Sequence, residues 1–227
     1  MDEDEETQGL GAEELGALAD LATTEADEIV GRALEIARDV LGMELSYMTQ
    51  FTPDDQVYRE VSGEGESFGM EAGGAYPIEG SYCRRMVLGE IPNAVGDTSQ
   101  NEELRDLELT EKAGIGSYVG VPITLSDGTL YGTICTTSHD ASPDLADRDV
   151  QFLHVLARII AAQLEQRRLA EENESLRGRV EALKVEVDQK ARREQVDEIA
   201  GSDWFGELSQ RAEGLRRTAR GGEEEKG

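Results

Sequence analysis

The stretch from Ile115 to Cys135 reads IGSYVGVPITLSDGTLYGTIC and decides the fold. It contains two β-prone apolar runs on either side of a Ser-Asp-Gly turn. Asp127 and Gly128 are residue types that tolerate the positive φ angles of a tight hairpin turn. Pro122 cannot donate a hydrogen bond to a sheet ladder, so it predicts an open edge or a bulge at its position. The stretch therefore predicts an antiparallel β-hairpin.

The side chains of the hairpin alternate between two faces. In the first strand, one face carries Val119, Val121 and Ile123. In the second strand, one face carries Leu130, Gly132, Ile134 and Thr136, and the other carries Tyr131, Thr133, Cys135 and Thr137. Because successive residues of a strand point to opposite sides, the second set forms a small, partly polar face. Such a face is typical of a buried strand over a ligand pocket.

Further elements flank the hairpin. Helical periodicity over 29–41 predicts a helix that ends at Gly42. Two strands are expected over 45–51 and 57–61, followed by a mobile, glycine-rich loop over 63–74. The next expected elements are a short helix over 81–88, a short strand over 91–95, helical turns over 101–112 and a long helix over 144–163.

Several short motifs occur in the same order as in GAF domains. They are Ser81–Arg85, Asn93–Asp97, Gly114–Tyr118, Val121–Ile123, Asp127–Gly128 and Gly132. Residues 24–165 therefore resemble the GAF family. The resemblance implies an α+β, PAS-like fold with a central antiparallel sheet flanked by helices. It also implies a pocket between the sheet and residues 68–109, and a sensory function.

The chain is acidic, with a formal net charge of −27. Residues 1–31 hold eleven acidic residues and no basic one, which predicts an acidic, largely disordered arm over 1–23 with a short helix over 13–21. An acidic surface repels phosphate backbones and anionic lipids, so we expect no nucleic-acid or membrane partner. Since the sequence shows neither a membrane-length apolar run nor a secretory leader, we expect a cytoplasmic protein.

A heptad pattern predicts a coiled-coil helix over 166–199. The seam residues are Leu169, Leu176 and Leu183 at d, with Asn173, Val180 and Val187 at a. Leucine at d with valine at a favours two parallel strands, and a single Asn at a commonly fixes that state. We therefore expect a parallel homodimer; the alternative is a solvated helical tail.

Residues 200–227 predict a short amphipathic helix followed by a charged tail. Its apolar face carries Trp204, Phe205, Leu208 and Leu215. This face is expected to dock a protein partner, or alternatively to fold back on the dimer.

The motif positions of the resembled family indicate the residues that would line a pocket. The candidates are Tyr82, Cys83, Asp97, Tyr118 and Thr133. Structural roles are alternatives for each of them: Asp97 could cap a turn, and the tyrosines could be core rings with one polar end.

The sequence lacks the residue spacings that would indicate a metal site or a known catalytic site. The two cysteines have no Cys-x-x-Cys spacing, so no zinc site is expected, and they are expected to be free thiols. Cys83 resembles one cysteine of the GAF branch that reduces free methionine sulfoxide, but residues 91–120 hold no second one. Bilin-binding relatives carry Cys followed by His, whereas Arg84 follows Cys83. No cofactor is identified.

We therefore expect a sensory or regulatory module without catalytic activity. It would bind a small molecule or sense redox state and signal through a dimeric coiled coil. One alternative is a thiol-dependent redox enzyme of the free-methionine-sulfoxide-reductase type centred on Cys83. The other is a dimeric scaffold without a ligand.

Overall fold

A computed structural model describes residues 11–26 and 28–221, without the side chains of residues 191, 200 and 215–221. The chain divides into two compact units, residues 1–168 and 169–227. The helices are α1 Ala12–Leu21, α2 Ile29–Leu41, α3 Tyr82–Val87, α4 Glu108–Ala113, α5 Asp147–Ala200 and α6 Asp203–Gly221. The strands are β1 Leu45–Phe51, β2 Asp55–Gly63, β3 Ala75–Pro77, β4 Ala94–Val95, β5 Ser117–Thr124 and β6 Leu130–Ser138.

One six-stranded antiparallel sheet organises the first unit, in the order β3-β2-β1-β6-β5-β4. The expected hairpin is present as β5 and β6, and Gly128 has the positive φ of 82° that its turn requires. Pro122 pairs with Thr133 of β6, while β4 pairs only with Tyr118 and Val119 on the other side. The proline therefore lies where β5 has an open edge, as predicted.

The sheet has one apolar face, which packs against two helices. Met48 of β1, Val121 of β5 and Ile134 of β6 belong to the same core cluster as Leu34 of α2 and Phe152 of α5. Gly42 ends α2 in the left-handed conformation, with φ at 64°. Both the helix stop and the alternation of β5 are therefore confirmed.

The opposite face of the sheet lies under residues 82–113, which we call the cover. The cover contains α3, β4 and α4. Its buried core residues, in one cluster with the facing strand residues, are Tyr82, Cys83, Met86, Ile91, Val95, Leu104, Leu109 and Ala113. The second core therefore consists of strand side chains on one side and short, irregular elements on the other.

The short helix expected in the N-terminal arm over 13–21 is present as α1. Leu21 at its end is 2% exposed and belongs to the apolar core cluster, and Ala17 and Leu18 pack against that cluster. The expectation of disorder for the start of the arm falls on residues 1–10, which lie outside the described residues.

The loop after β2 is also more ordered in its contacts than its composition suggests. A 3₁₀ turn spans Gly65–Phe68, and both Phe68 and Met70 are buried.

Within the described part of the chain, no helix is both long and apolar enough to cross a membrane.

A substitution at Gly132 tests the close pairing of β1 with β6. A Cβ atom at this position would collide with the backbone oxygen of Thr49, which cannot move without disturbing β1. We expect Gly132→Ala to lower the free energy of unfolding by about 1–3 kcal/mol. The measurement is denaturant unfolding at equilibrium.

Gly31→Ala is the matched control, because Gly31 lies within α2 and its Cβ would make only an ordinary contact, at 3.8 Å from Glu60 Oε1. Removing a helical glycine should stabilise the protein by about 0.5–1 kcal/mol. Equal effects of the two substitutions would contradict the proposed close approach.

Candidate functional site

Four of the five candidate pocket residues come together under the cover. α3 supplies Tyr82 and Cys83, β5 supplies Tyr118, and β6 supplies Thr133. Each is at most 1% exposed. These four side chains therefore form one buried site between the sheet and α3.

Asp97 does not join them. Its carboxylate accepts hydrogen bonds from the backbone nitrogen of Ser99 at 2.9 Å and from Ser99 Oγ at 2.6 Å. These bonds cap the 3₁₀ turn Thr98–Gln100. The structure thus gives Asp97 the turn-capping role that was its alternative.

The two cysteines meet in this site. Cys83 Sγ lies 3.5 Å from Cys135 Sγ, and both are free thiols. Cys135 Sγ also lies 3.2 Å from the hydroxyl of Tyr118 and 3.3 Å from Thr133 Oγ1. Sequence reasoning missed the pair because 52 residues separate the cysteines; the available signal was the alternation that put Cys135 on the pocket face.

A glycine makes room for this arrangement. Gly120 pairs with Cys135 across the hairpin. A Cβ at Gly120 would collide with the hydroxyl of Tyr118 and stand 2.9 Å from Cys135 Sγ. The tyrosine therefore folds over the glycine to reach the thiol.

Aromatic rings fill the space around the thiols. Tyr82 and Tyr118 meet edge to face with their centroids 5.3 Å apart, and Tyr47 and Tyr58 do so at 5.6 Å. The hydroxyl of Tyr82 bonds with Thr110 Oγ1 of α4. Sequence reasoning missed Tyr47 and Tyr58, although both lie on strands beside the hairpin. We call these four tyrosines with Cys83 and Cys135 the thiol–tyrosine cluster.

Burial sets the protonation of the cluster. It raises the pKa of Tyr82 to about 12 and also raises the pKa of Tyr118 well above its usual range, so both phenols are neutral near pH 7. A hydrogen bond from Cys135 lowers the pKa of Cys83, whereas burial raises the pKa of Cys135. The two thiols therefore titrate as an interacting pair, in which hydrogen bonding favours the thiolate of Cys83 and burial favours the thiol of Cys135.

A second polar group adjoins the cluster along β1, β2 and β6. Thr49 Oγ1 and Thr133 Oγ1 are 2.8 Å apart, and the backbone nitrogen of Thr133 donates to Thr49 Oγ1 at 3.3 Å. Gln56 Nε2 donates to the hydroxyl of Tyr58 at 3.2 Å, whereas Gln56 Oε1 is buried without a hydrogen-bond partner. A buried carbonyl oxygen without a donor is costly, so this amide is a candidate ligand contact.

At the rim of the site, His139 contacts both Glu44 and Phe68. Glu44 Oε2 accepts from the backbone nitrogen of His139 at 2.9 Å and lies 2.6 Å from its Nδ1. The imidazole stacks on Phe68 with centroids 3.9 Å apart. The backbone hydrogen bond lowers the pKa of Glu44, so the carboxylate stays ionised near neutral pH.

Close packing limits what the site can admit. Since the cluster residues are almost completely buried, a ligand must displace part of the cover. A cavity of about 650 Å³ lies elsewhere, lined by residues that include Thr24, Glu28, Arg32 and Glu60. Its lining shares no residue with the cluster and contains charged side chains but neither a thiol nor a phenol.

Metal chemistry is not supported in the part of the chain that the structure describes. It contains no group of three His, Cys, Asp or Glu side chains that could hold a metal ion. The thiol pair has only hydroxyl groups as further polar neighbours.

The predicted interface residues of the second unit are exposed. On α5 these are Leu169, Asn173, Leu176, Val180, Leu183 and Val187, and on α6 they are Trp204, Phe205 and Leu208. The side chain of Leu215 lies outside the described part. Five apolar residues of α5 and three of α6 are thus exposed in the single chain, and the polar Asn173 is exposed with them.

Comparison with known proteins identifies the family. A family model described as "GAF domain" matches residues 23–165. The GAF domain of a phosphoenolpyruvate-protein phosphotransferase from Coxiella burnetii superposes with a TM-score of 0.56 at 13% identity, over 70% of this chain and 95% of that one. Free methionine-R-sulfoxide reductase from Neisseria meningitidis gives a TM-score of 0.53 at 17% identity, over 69% and 89%. This chain belongs to the GAF family.

A curated relative is similar over most of the chain. A cyclic di-GMP phosphodiesterase of Pseudomonas aeruginosa is 24% identical over 163 residues, which is 71% of this chain. The chain spans only 26% of that protein's length. The similarity therefore concerns one portion of a longer enzyme.

A double-mutant cycle tests the threonine pair. Thr49→Val removes one hydroxyl, leaves that of Thr133 with fewer partners and should lower the free energy of unfolding by about 1–3 kcal/mol. Thr133→Val should have an effect of similar size. Because the double variant leaves neither hydroxyl unpaired, its loss should be smaller than the sum by about 0.5 kcal/mol or more. Additive losses, measured by denaturant unfolding, would show that the two hydroxyls do not interact.

Proposed function

We propose that this protein is a GAF-type sensory module that signals as a parallel homodimer and has no catalytic activity of its own. Its input, a small molecule or a redox change, acts at the thiol–tyrosine cluster. Its output passes through α5. The observation that carries the proposal is the heptad of exposed apolar residues on α5.

The exposed seam supports dimerisation. The d-position leucines Leu169, Leu176 and Leu183 are 49–59% exposed in the single chain. Val180 and Val187 at a are 51% and 65% exposed. Since apolar area gains about 25 cal/mol per Å² when it leaves water, a second copy with the same seam is a favourable partner.

Asn173 supports a parallel, in-register arrangement. In the single chain its Nδ2 donates to the backbone oxygen of Leu169 at 2.9 Å. The amide retains its oxygen and a second N–H hydrogen for the equivalent Asn173 of a second copy. A polar residue at a is satisfied in this way only where it meets its own equivalent.

The same helix takes part in the domain core. Phe152, Leu153 and Leu156 of α5 are buried in the cluster that includes Ile134 of β6. Ile134 is adjacent to Cys135, which points to the opposite face. A change at the thiols can therefore reach α5 through one strand, and α5 is the predicted route to an output.

The exposed face of α6 is proposed to dock a protein partner. Trp204, Phe205 and Leu208 are 40–64% exposed, and Arg211 adds positive charge to the same helix. An amphipathic helix with aromatic anchors is a recurring mode of protein recognition. Binding of a partner should be lost on Trp204→Ala.

A second candidate function is a thiol-dependent reductase. The 3.5 Å approach of Cys83 to Cys135 favours it, because such enzymes need a nucleophile and a resolving thiol. Burial of both thiols argues against direct attack on methionine sulfoxide. Turnover of free methionine sulfoxide by the full chain, abolished in Cys83→Ser, would overturn the non-catalytic proposal.

Thermal-shift screening distinguishes a sensor from a scaffold. A ligand at 100 times its dissociation constant should stabilise the protein by about 2.7 kcal/mol. Nucleotides, amino acids and aromatic compounds form the screen, and Gln56→Leu should abolish a shift that depends on the buried amide. The absence of any stabilising compound would favour a scaffold without a ligand.

Charged substitutions in the seam test the dimer. Leu176→Lys combined with Leu183→Lys places charges at two d positions, so we expect the chain to sediment as a monomer at micromolar concentration. Ser175→Lys with Ala182→Lys adds the same charge at two c positions beside the seam and should leave the dimer intact. A wild-type monomer, or a double d-position variant that remains dimeric, would contradict the proposal.

Lys184→Glu tests whether the dimer is parallel. In a parallel pair, Arg179 at g faces Lys184 at e of the second copy, and like charges repel. Reversing Lys184 should strengthen the dimer by about 0.5 kcal/mol for each of two pairs, less the loss of the contact between Lys184 and Glu181. Arg192→Glu at an f position is the control, since it makes the same charge change away from the seam. Equal dissociation constants for both variants would exclude this register.

A further inference from the structure

The fold brings the thiols of Cys83 and Cys135 together from elements that are far apart in the chain. They are the only cysteines in the chain. Their sulfurs are 3.5 Å apart, which is the distance of a contact rather than of a bond. Tyr118 and Thr133 surround Cys135 with hydroxyl groups.

We infer that Cys83 and Cys135 are a redox pair that a small hydroperoxide converts into an intramolecular disulfide, reversibly and within one chain. The inference rests on the proposed sensory function, because it names the input that the cluster receives. It requires no substrate other than the peroxide.

The two steps balance in atoms and electrons. The Cys83 thiolate attacks the terminal oxygen of the hydroperoxide; the O–O bond breaks, the alcohol or water leaves with a proton, and Cys83 becomes a sulfenic acid. Cys135 then attacks Cys83 Sγ, the S–O bond breaks, and water leaves with the proton of the Cys135 thiol. Two thiols and one hydroperoxide thus give one disulfide, one alcohol and one water.

The surroundings assign the order of attack. Cys83 lies on the cover, which must open to admit a peroxide, whereas Cys135 lies in a strand paired on both sides and donates its thiol hydrogen to Thr133 Oγ1 at 3.3 Å. The hydrogen-bonding contact with Cys135 also lowers the pKa of Cys83. Cys135 retains its proton because burial raises its pKa. Cys83 is therefore the nucleophile and Cys135 the resolving thiol.

Formation of the disulfide requires α3 to move. The sulfurs must approach by about 1.5 Å to reach the ~2.05 Å of a disulfide. Cys135 is fixed in the middle of β6, which pairs with both β1 and β5. Cys83 lies on a six-residue helix of the cover. Bond formation therefore draws α3, with Tyr82, towards the sheet.

Burial of the two thiols limits the size of the oxidant that can reach them. Cys83 is 1% exposed and Cys135 0% exposed. Attack on glutathione disulfide would need an exposed thiol with room for a bulky partner in line with the S–S bond. Hydrogen peroxide is the size of two water molecules and needs only a small opening of the cover.

The test is peptide mapping of the full chain after hydrogen peroxide treatment. We expect a peptide pair linking Cys83 with Cys135, a loss of two hydrogen masses, loss of both alkylatable thiols after denaturation, and recovery of both with dithiothreitol. Glutathione disulfide should give no adduct on the folded protein. A disulfide between two chains, sulfinic acid at either residue without a linked peptide, or two thiols that stay reduced would each overturn the inference.

Single variants assign the roles of the thiols. Cys135→Ser, which removes the resolving thiol but keeps a hydrogen-bonding group beside Cys83, should accumulate a sulfenic acid at Cys83, trapped by dimedone, whereas Cys83→Ser should leave Cys135 unmodified; the reverse pattern would overturn the assigned order. Sedimentation of the same samples distinguishes a failure of the proposed dimeric sensor from a failure of the proposed redox pair. A linked peptide in a monomeric chain would refute the dimeric sensor but not the thiol pair, and a dimer without a linked peptide would do the opposite.

Discussion

The antiparallel pairing of β1 with β6 at the centre of the sheet is the constraint on which the other features depend. It sets Tyr47 opposite Cys135 and Met48 opposite Ile134. Because the side-chain period of a strand is two, a slip of one residue would exchange the two faces completely. Gly132 fits this register, since a Cβ at its position would collide with the backbone oxygen of Thr49 in β1.

The two faces that result have different physical character. The face towards α2 and α5 is apolar and behaves as an ordinary core. The face under the cover buries hydroxyls, an amide and two thiols, for which each polar atom needs a partner. Gln56 Oε1 has none, and the thiols bond chiefly with one another and with neighbouring hydroxyls. Thr136 Oγ1, on the face towards α2 and α5, is also buried without a partner. The denser set of buried hydroxyls and thiols under the cover nevertheless indicates that this face is arranged for a function rather than for maximal stability.

Local signals in the sequence predicted much of the fold. The turn at Asp127 and Gly128, the alternation of β5 and the helix stop at Gly42 depend on backbone conformations that a few residue types favour. Contacts between distant segments were not predictable in this way. The burial of Leu21, the three-residue strand β3 and the approach of Cys83 to Cys135 depend on how separate elements pack, and a single sequence carries no direct record of that. Among the candidate site residues, Asp97 caps a turn apart from the other four, and motif order alone does not distinguish a turn cap from a pocket wall.

α5 connects these considerations with signalling, since it contributes to the domain core at one end and carries an exposed heptad seam at the other. Hydrogen–deuterium exchange of residues 169–187 in the native chain tests this account most directly. An isolated solvated helix opens readily, whereas a seam buried by a second copy protects its amides. The account predicts slow exchange at micromolar concentration that becomes faster on dilution. Fast exchange at every concentration would contradict it.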